Sequence, residues 1–245
     1  MTIETILGPA ELPALAQRDL SHAACVVFDI LRATSVFVTA LHNGAREVIP
    51  VCEIPEAVAR RQADPTVLLA GERDGLKIRA AQSGGIDFDF GNSPREFRTD
   101  KVRLKTIVST TTNGTRALRA CARAQMVLAS SFLNLGATAK YLNQQSPREL
   151  LLVCAGTGEG TALEDILAAG ALAGLVVGDY TDATEIASRT FHSAKVDLPA
   201  AIASSQNARR LLGIPDLRAD VAFCSQRDIF KNIAAMSPDG AIRLL

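Results

Sequence analysis

Stretches such as Val67-Leu68-Leu69-Ala70 and Leu150-Leu151-Leu152-Val153 are apolar at consecutive positions, with no polar residue at every second place. Neighbouring side chains on a strand point to opposite faces, so runs of this kind need cover on both sides, as parallel strands between helical layers have. Three of the runs stop abruptly. Residues 26–30 give way to Leu31-Arg32-Ala33-Thr34-Ser35, residues 106–108 to Ser109-Thr110-Thr111-Thr112-Asn113-Gly114-Thr115-Arg116, and residues 151–154 to Ala155-Gly156-Thr157-Gly158-Glu159-Gly160-Thr161. A helical pattern follows each. A strand that ends in a short polar loop before a helix aims free backbone N–H groups and the positive end of the helix dipole into the crevice at its carboxyl end. Three such loops predict a site for a phosphorylated or multiply anionic small molecule.

The spacing predicts strands over 26–30, 47–51 and 67–70 with helices over 33–43 and 55–62 between them. It predicts strands over 106–108, 126–129 and 150–155 with helices over 115–122 and 133–143. Each half is a βαβαβ pattern, and its first two strands lie about 20 residues apart, as a βα unit with a short helix requires. The expectation is a three-layer α/β/α protein of two similar halves, 1–104 and 105–245, a possible duplication around one cleft. In a parallel sheet the loops at the strand ends share one edge. The periodicity of Val36, Phe37, Ala40 and Leu41 supports the first helix. Residues 180–212 read as mainly helical, residues 221–224 as one more short strand, and residues 71–94 as a long functional loop.

Lys and Arg number 26, as do Asp and Glu, so there is no net charge to attract nucleic acid or a membrane surface in general. Anion binding falls to local arginines. The five cysteines have no Cys-x-x-Cys spacing and read as reduced thiols in a cytoplasmic protein, and the three histidines are too scattered for a metal cluster. No secretory leader pattern opens the chain, and the apolar run at 166–177 is too short to span a bilayer.

Asp29 and Arg32 place a carboxylate near the end of a buried strand and a guanidinium three residues on, and Glu72 with Arg73 repeats the pairing. Such carboxylates suit Mg²⁺, which prefers oxygen ligands and keeps several waters, while arginine grips phosphate bidentately. The alternative is a capped turn with a local ion pair. Ser93-Pro94-Arg95-Glu96 reads as a capping box, as does Thr161 to Glu164, whereas the hydroxyl, amide and guanidinium donors of residues 110–116 can surround an oxyanion, which a turn at Asn113-Gly114 alone does not explain. Asp165 is not needed for its box and is left available to a metal. No P-loop or Gly-x-Gly-x-x-Gly spacing is present, which disfavours a nucleotide enzyme. Cys154 lacks the arginine that a cysteine phosphatase needs, and Asp87-Phe88-Asp89 sits in a loop instead of directly after a buried strand.

In order and spacing, Asp29-x-x-Arg32-Ala33-Thr34, Gly71-Glu72-Arg73, Phe88-Asp89-Phe90-Gly91-Asn92-Ser93-Pro94, Thr111-Thr112-Asn113-Gly114-Thr115-Arg116, Ser130-Ser131-Phe132-Leu133-Asn134 and Cys154-Ala155-Gly156-Thr157 with Glu164-Asp165 resemble the 2-phosphosulfolactate phosphatase family. The resemblance implies Mg²⁺-dependent hydrolysis of the phosphate ester of a three-carbon acid that also carries a sulfonate, a step toward coenzyme M. On that basis Asp29, Glu72 and one of Glu164 or Asp165 are expected to place the metal and its water. Asp29, Glu72 and Arg116 are the catalytic candidates. Arg32, Arg73, Asn92, Ser93, Thr112, Asn113, Gly114, Thr115, Gly156 and Thr157 are expected to bind substrate. A homo-oligomer is compatible with the pattern. The competing readings are a phosphatase for another phospho-acid and a protein that holds a phosphorylated metabolite without cleaving it.

Overall fold

The computed structural model describes residues 1–245. Its strands are β1 Thr2–Ile6, β2 Ala23–Phe28, β3 Glu47–Pro50, β4 Leu68–Arg73, β5 Leu76–Lys77, β6 Thr106–Thr110, β7 Met126–Ser130, β8 Glu149–Cys154, β9 Asp179–Tyr180, β10 Ala234–Met236 and β11 Ile242–Leu244. The helices are α1 Leu12–Leu15, α2 Ala33–His42, α3 Ile54–Ala63, α4 Ala80–Ser83, α5 Thr99–Val102, α6 Gly114–Ala120, α7 Leu135–Gln145, α8 Leu163–Ala173, α9 Asp182–Ala194, α10 Leu198–Ala203, α11 Gln206–Leu212 and α12 Arg218–Cys224.

All strands join one mixed sheet in the order β5-β4-β6-β3-β11-β10-β7-β2-β8-β1-β9, with helices on both sides. The fully buried β2 and β8 are the continuous apolar runs of the sequence. They pair in parallel along six residues. The first strand of each half pairs inside the other half: β6 lies between β3 and β4, and β2 lies between β7 and β8. The stretches 1–104 and 105–245 therefore share one sheet.

The expectation of a single shared edge is corrected. One parallel block is β4-β6-β3 and another runs from β7 through β9, and the β10–β11 hairpin joins them by antiparallel pairing on each side. The blocks thus run in opposite senses. Normal strand twist rotates β2 relative to β6 by roughly 100° over the five intervening steps, which swings the opposed strand ends towards each other. Both blocks pack on the same helices, because one buried core of 32 residues unites β2, β7 and β8 with β3 and β6 around α2 and α6. At the meeting point, Gly114 at the start of α6 lies against Asp29 after β2; a Cβ there would sit 2.6 Å from the Asp29 carboxylate.

Three further readings change. Residues 221–224 belong to helix α12, whose buried Asp220, Val221 and Cys224 share a face at spacings of one, three and four, a helical and not a strand pattern. The segment 71–94 is not a plain loop: β4 runs on to Arg73, and Asp74 and Gly75 (φ 56° and 79°) form a two-residue hairpin turn to β5. Two positive φ values in succession are what an Asp-Gly hairpin turn supplies. Strands β1, β10 and β11 were not anticipated, since β1 alternates weakly and the last two are three residues each.

Candidate active site

The loops after β2, β6 and β8, the β4–β5 turn and the start of α11 enclose one polar cavity of about 280 Å³. That equals about nine waters at ~30 Å³ each, enough for a small metabolite. A larger cavity of about 550 Å³ lies elsewhere, beside Cys52, Arg60, Arg119 and Met236, but the buried carboxylates and loop amides do not face it.

Three carboxylates line the polar cavity, the exposed Asp74 and the buried Asp29 and Glu72. Asp29 leaves the end of β2, and one of its oxygens accepts from the Ala33 N–H at 3.0 Å, the first turn of α2. Glu72 comes from β4; its Oε2 accepts from Gly75 N at 2.7 Å, and its Oε1 accepts from both the N–H and the hydroxyl of Thr112 at 3.0 Å. The Asp74-Gly75 turn therefore fixes Glu72 from one side and the threonine loop from the other. Burial raises the Asp29 carboxyl to about 7, with the Ala33 N–H pulling the other way and the charges of Glu72 and Glu164 adding to the rise. Burial also pushes Asp165 well up, helped by Glu164 and Asp29.

Asn113 binds the two facing loops together. Its amide donates to the carbonyls of Ala155 at 3.0 Å and Gly158 at 2.8 Å, and its oxygen accepts from Gly158 N at 3.2 Å. Arg32 is buried and committed: it donates to Asp220 at 2.7 Å and to the Gly75 carbonyl at 2.7 Å. Asp220 takes a further bond from the Ser93 hydroxyl at 2.7 Å. Ser93 therefore does not cap its short helix with its side chain, and Arg32 pairs with α12 instead of Asp29.

Of the residues singled out from sequence, Asp29, Arg32, Glu72, Asn92, Thr112, Asn113, Gly156 and Thr157 line this cavity. Gly114 stands behind Asp29. Asp165 uses both oxygens on backbone, accepting from Ile30 N at 2.8 Å and Gly156 N at 3.0 Å, so it clamps the β2 and β8 loops together. Glu164 accepts from the Asn207 amide at 2.7 Å through Oε1, while its buried Oε2 has no partner. Thr161 does not complete the expected box, because the helix cap falls at Ala162.

Ser93, bound to Asp220, does not line the cavity, and three more residues lie outside. Arg116 is two positions after Gly114, so it projects from the far side of α6, exposed and 3.2 Å from Glu159. Arg73 follows Glu72 on a strand and points to the other face, where it bonds the Glu72 and Cys52 carbonyls and Thr110. Thr115 bonds back to the Thr111 carbonyl. Cys154 is wholly buried and its thiol is pushed well up by burial; Asp89 pairs with Arg61 and the Leu69 N–H, away from the site. In return the structure adds Asp74, Gln206, Asn207 and Arg210 to the cavity wall. The Asp-Gly pair was a hairpin signal in the sequence. The α11 residues carried none, since a helix face meets a distant loop only through tertiary packing.

No three Asp, Glu, His or Cys side chains form a metal cage of their own. Mg²⁺ does not need one, since it is often held by one or two carboxylates and otherwise by water and substrate oxygens. Asp29 and Glu72 at the cavity, with the unpartnered Glu164 oxygen behind them, fit that type of donor set.

An α/β scaffold that closes polar loops, three carboxylates and two guanidinium groups around a small cavity is a hydrolase-like architecture for anionic metabolites. A model of the 2-phosphosulpholactate phosphatase family matches residues 10–238. A probable 2-phosphosulfolactate phosphatase of Thermotoga petrophila is 43% identical over 212 residues, covering 86% of this chain and 88% of its own. One of Clostridium perfringens is 34% identical over 259 residues, covering 100% of this chain and 99% of its own. The chain belongs to the 2-phosphosulfolactate phosphatase family.

Proposed function

We propose that the chain is a phosphoric monoester hydrolase that cleaves 2-phosphosulfolactate to sulfolactate and inorganic phosphate, with Mg²⁺ as its cofactor. The observation that carries this is the juxtaposition of Asp29 and Glu72 with the threonine and glycine loops in one cavity of metabolite size. Asp29 and Glu72 would hold the Mg²⁺, which when bound supplies a Lewis acid and a more acidic water.

The chain's own groups do the rest. Thr112 and Gly75 hold both Glu72 oxygens in place, so its carboxylate faces the cavity in one orientation. Asp165 keeps the Ile30 and Gly156 amides together, and Asn113 keeps the Gly158 loop against the threonine loop. These bonds hold the loops around the cavity in one geometry, so that the groups facing the phosphoryl oxygens need not reorganise during the reaction. Arg32, paired with Asp220, holds the Gly75 turn at the wall.

The test is phosphate release from 2-phosphosulfolactate and from a panel of other phospho-acids, after chelation and after Mg²⁺ is restored. The expected result is Mg²⁺-dependent release with 2-phosphosulfolactate the best substrate. Binding without release would make the chain a metabolite-binding protein, and a better substrate lacking sulfonate would reassign the reaction.

A further inference from the structure

We infer that Arg210 recognises the sulfonate of the substrate, one of the two anionic groups that take no part in the reaction. The inference rests on the reading of the chain as a phosphosulfolactate phosphatase. Two guanidinium groups reach the cavity, and they are not equivalent. That of Arg32 is 2% exposed and fixed between a wholly buried carboxylate and a backbone carbonyl. Its role is to hold the Gly75 turn and α12 together at the wall.

Arg210 stands on the exposed side of α11. Its hydrogen bond within the chain is a long one, 3.3 Å to the Asn207 side-chain oxygen, and its guanidinium lies over Gly75, 3.7 Å from where a Cβ would stand. A guanidinium has five N–H donors, so most of the Arg210 fork is open to a ligand. Its planar pair of donors matches two oxygens of a sulfonate as it matches those of a phosphate.

The placement separates the two ends of the substrate. The reacting phosphate belongs with Asp29 and Glu72 at the strand ends, where the metal would be held. Asp74 also lines the wall, so a substrate with three anionic groups meets a cavity that already carries three carboxylates. A cation beyond the metal is needed, and of the two arginines Arg210 is the one with donors to spare. The Asp74-Gly75 turn connects the ends, for Gly75 donates to Glu72 and packs beneath Arg210.

The test compares wild type, Arg210→Ala and Arg210→Lys on two substrates, 2-phosphosulfolactate and the phosphate ester of lactate, which has the same skeleton without the sulfonate. Loss of a charge-assisted bidentate contact should raise KM for the sulfonated substrate roughly tenfold to a hundredfold in Arg210→Ala. Its kcat should change little, KM for phospholactate should stay within about twofold, and lysine should recover part of the loss. Equal effects on both substrates, or none on either, would overturn the assignment. Failure of the wild type to release phosphate from the sulfonated substrate would instead remove the underlying reading. Arg210 is exposed, so unchanged melting of the variants is expected and confirms that the kinetics report recognition.

Discussion

Asp29 is where charge, burial and proposed chemistry meet. In the folded protein its carboxyl keeps a proton up to about 7, against 3.8 for an ordinary aspartate. Between those values the folded state binds the extra proton, so the associated stability is complete below about 3.8 and is lost as pH rises through 7. Metal-free Asp29→Asn should therefore lose part of the fall in melting temperature between pH 4 and 7 and melt above wild type at pH 8, while releasing no phosphate. Thermal scans across that range with parallel activity assays check both halves; an unchanged pH slope with retained turnover would remove Asp29 from its role. Asp220 is a different case, because it is fully buried and holds Arg32 at 2.7 Å. Its replacement by alanine strands a buried guanidinium, at a cost of about 3–5 kcal/mol by urea titration.

At the scale of elements, loops far apart along the chain are tied by single side chains. Asn113 is the clearest case, since its amide satisfies two carbonyls of the β8–α8 loop. Asn113→Ala leaves those carbonyls short of partners and should cost about 2–3 kcal/mol. Hydrogen exchange should speed at Gly158, whose N–H loses its acceptor, and remain unchanged in the middle of β2. Gly114→Ala tests the contact between α6 and the β2 loop. The added Cβ would lie 2.6 Å from both the Asp29 carboxylate and the Ala33 side chain. One of these must move, and phosphate release should fall at least tenfold, because displacement by about 1 Å is enough to cost far more than that in an aligned site.

For the whole molecule, the β10–β11 hairpin has a role out of proportion to its length. It joins two oppositely directed parallel blocks through pairings to β7 and β3. A chain truncated after residue 232 would leave both of those strands unpaired on one side, next to a shared apolar core. Such bare edges invite association with other chains. The truncated protein should lose its single cooperative unfolding transition and elute as aggregate, as circular dichroism and size-exclusion chromatography will show; a monomer with unchanged melting would remove the hairpin from this role.

Much of this protein is written locally. Unbroken apolar runs mark β2, β6 and β8 as strands between helical layers, because a strand covered on both faces has no use for polar positions. The polar breaks after them marked the loops that line the cavity, with Asp29 and Asn113 at those breaks and Glu72 at the end of β4. What the residues could not state was direction. Adjacent side chains on β4 face opposite ways, which sends Glu72 into the cavity and Arg73 out of it, and Arg116 is turned away by its place on α6. The hairpin that reverses one half-sheet, and the α11 helix that brings Asn207 and Arg210 over the cavity, depend on contacts between residues widely separated along the chain. Such contacts form only when the core closes, so tertiary structure alone decided which arginines face the cavity.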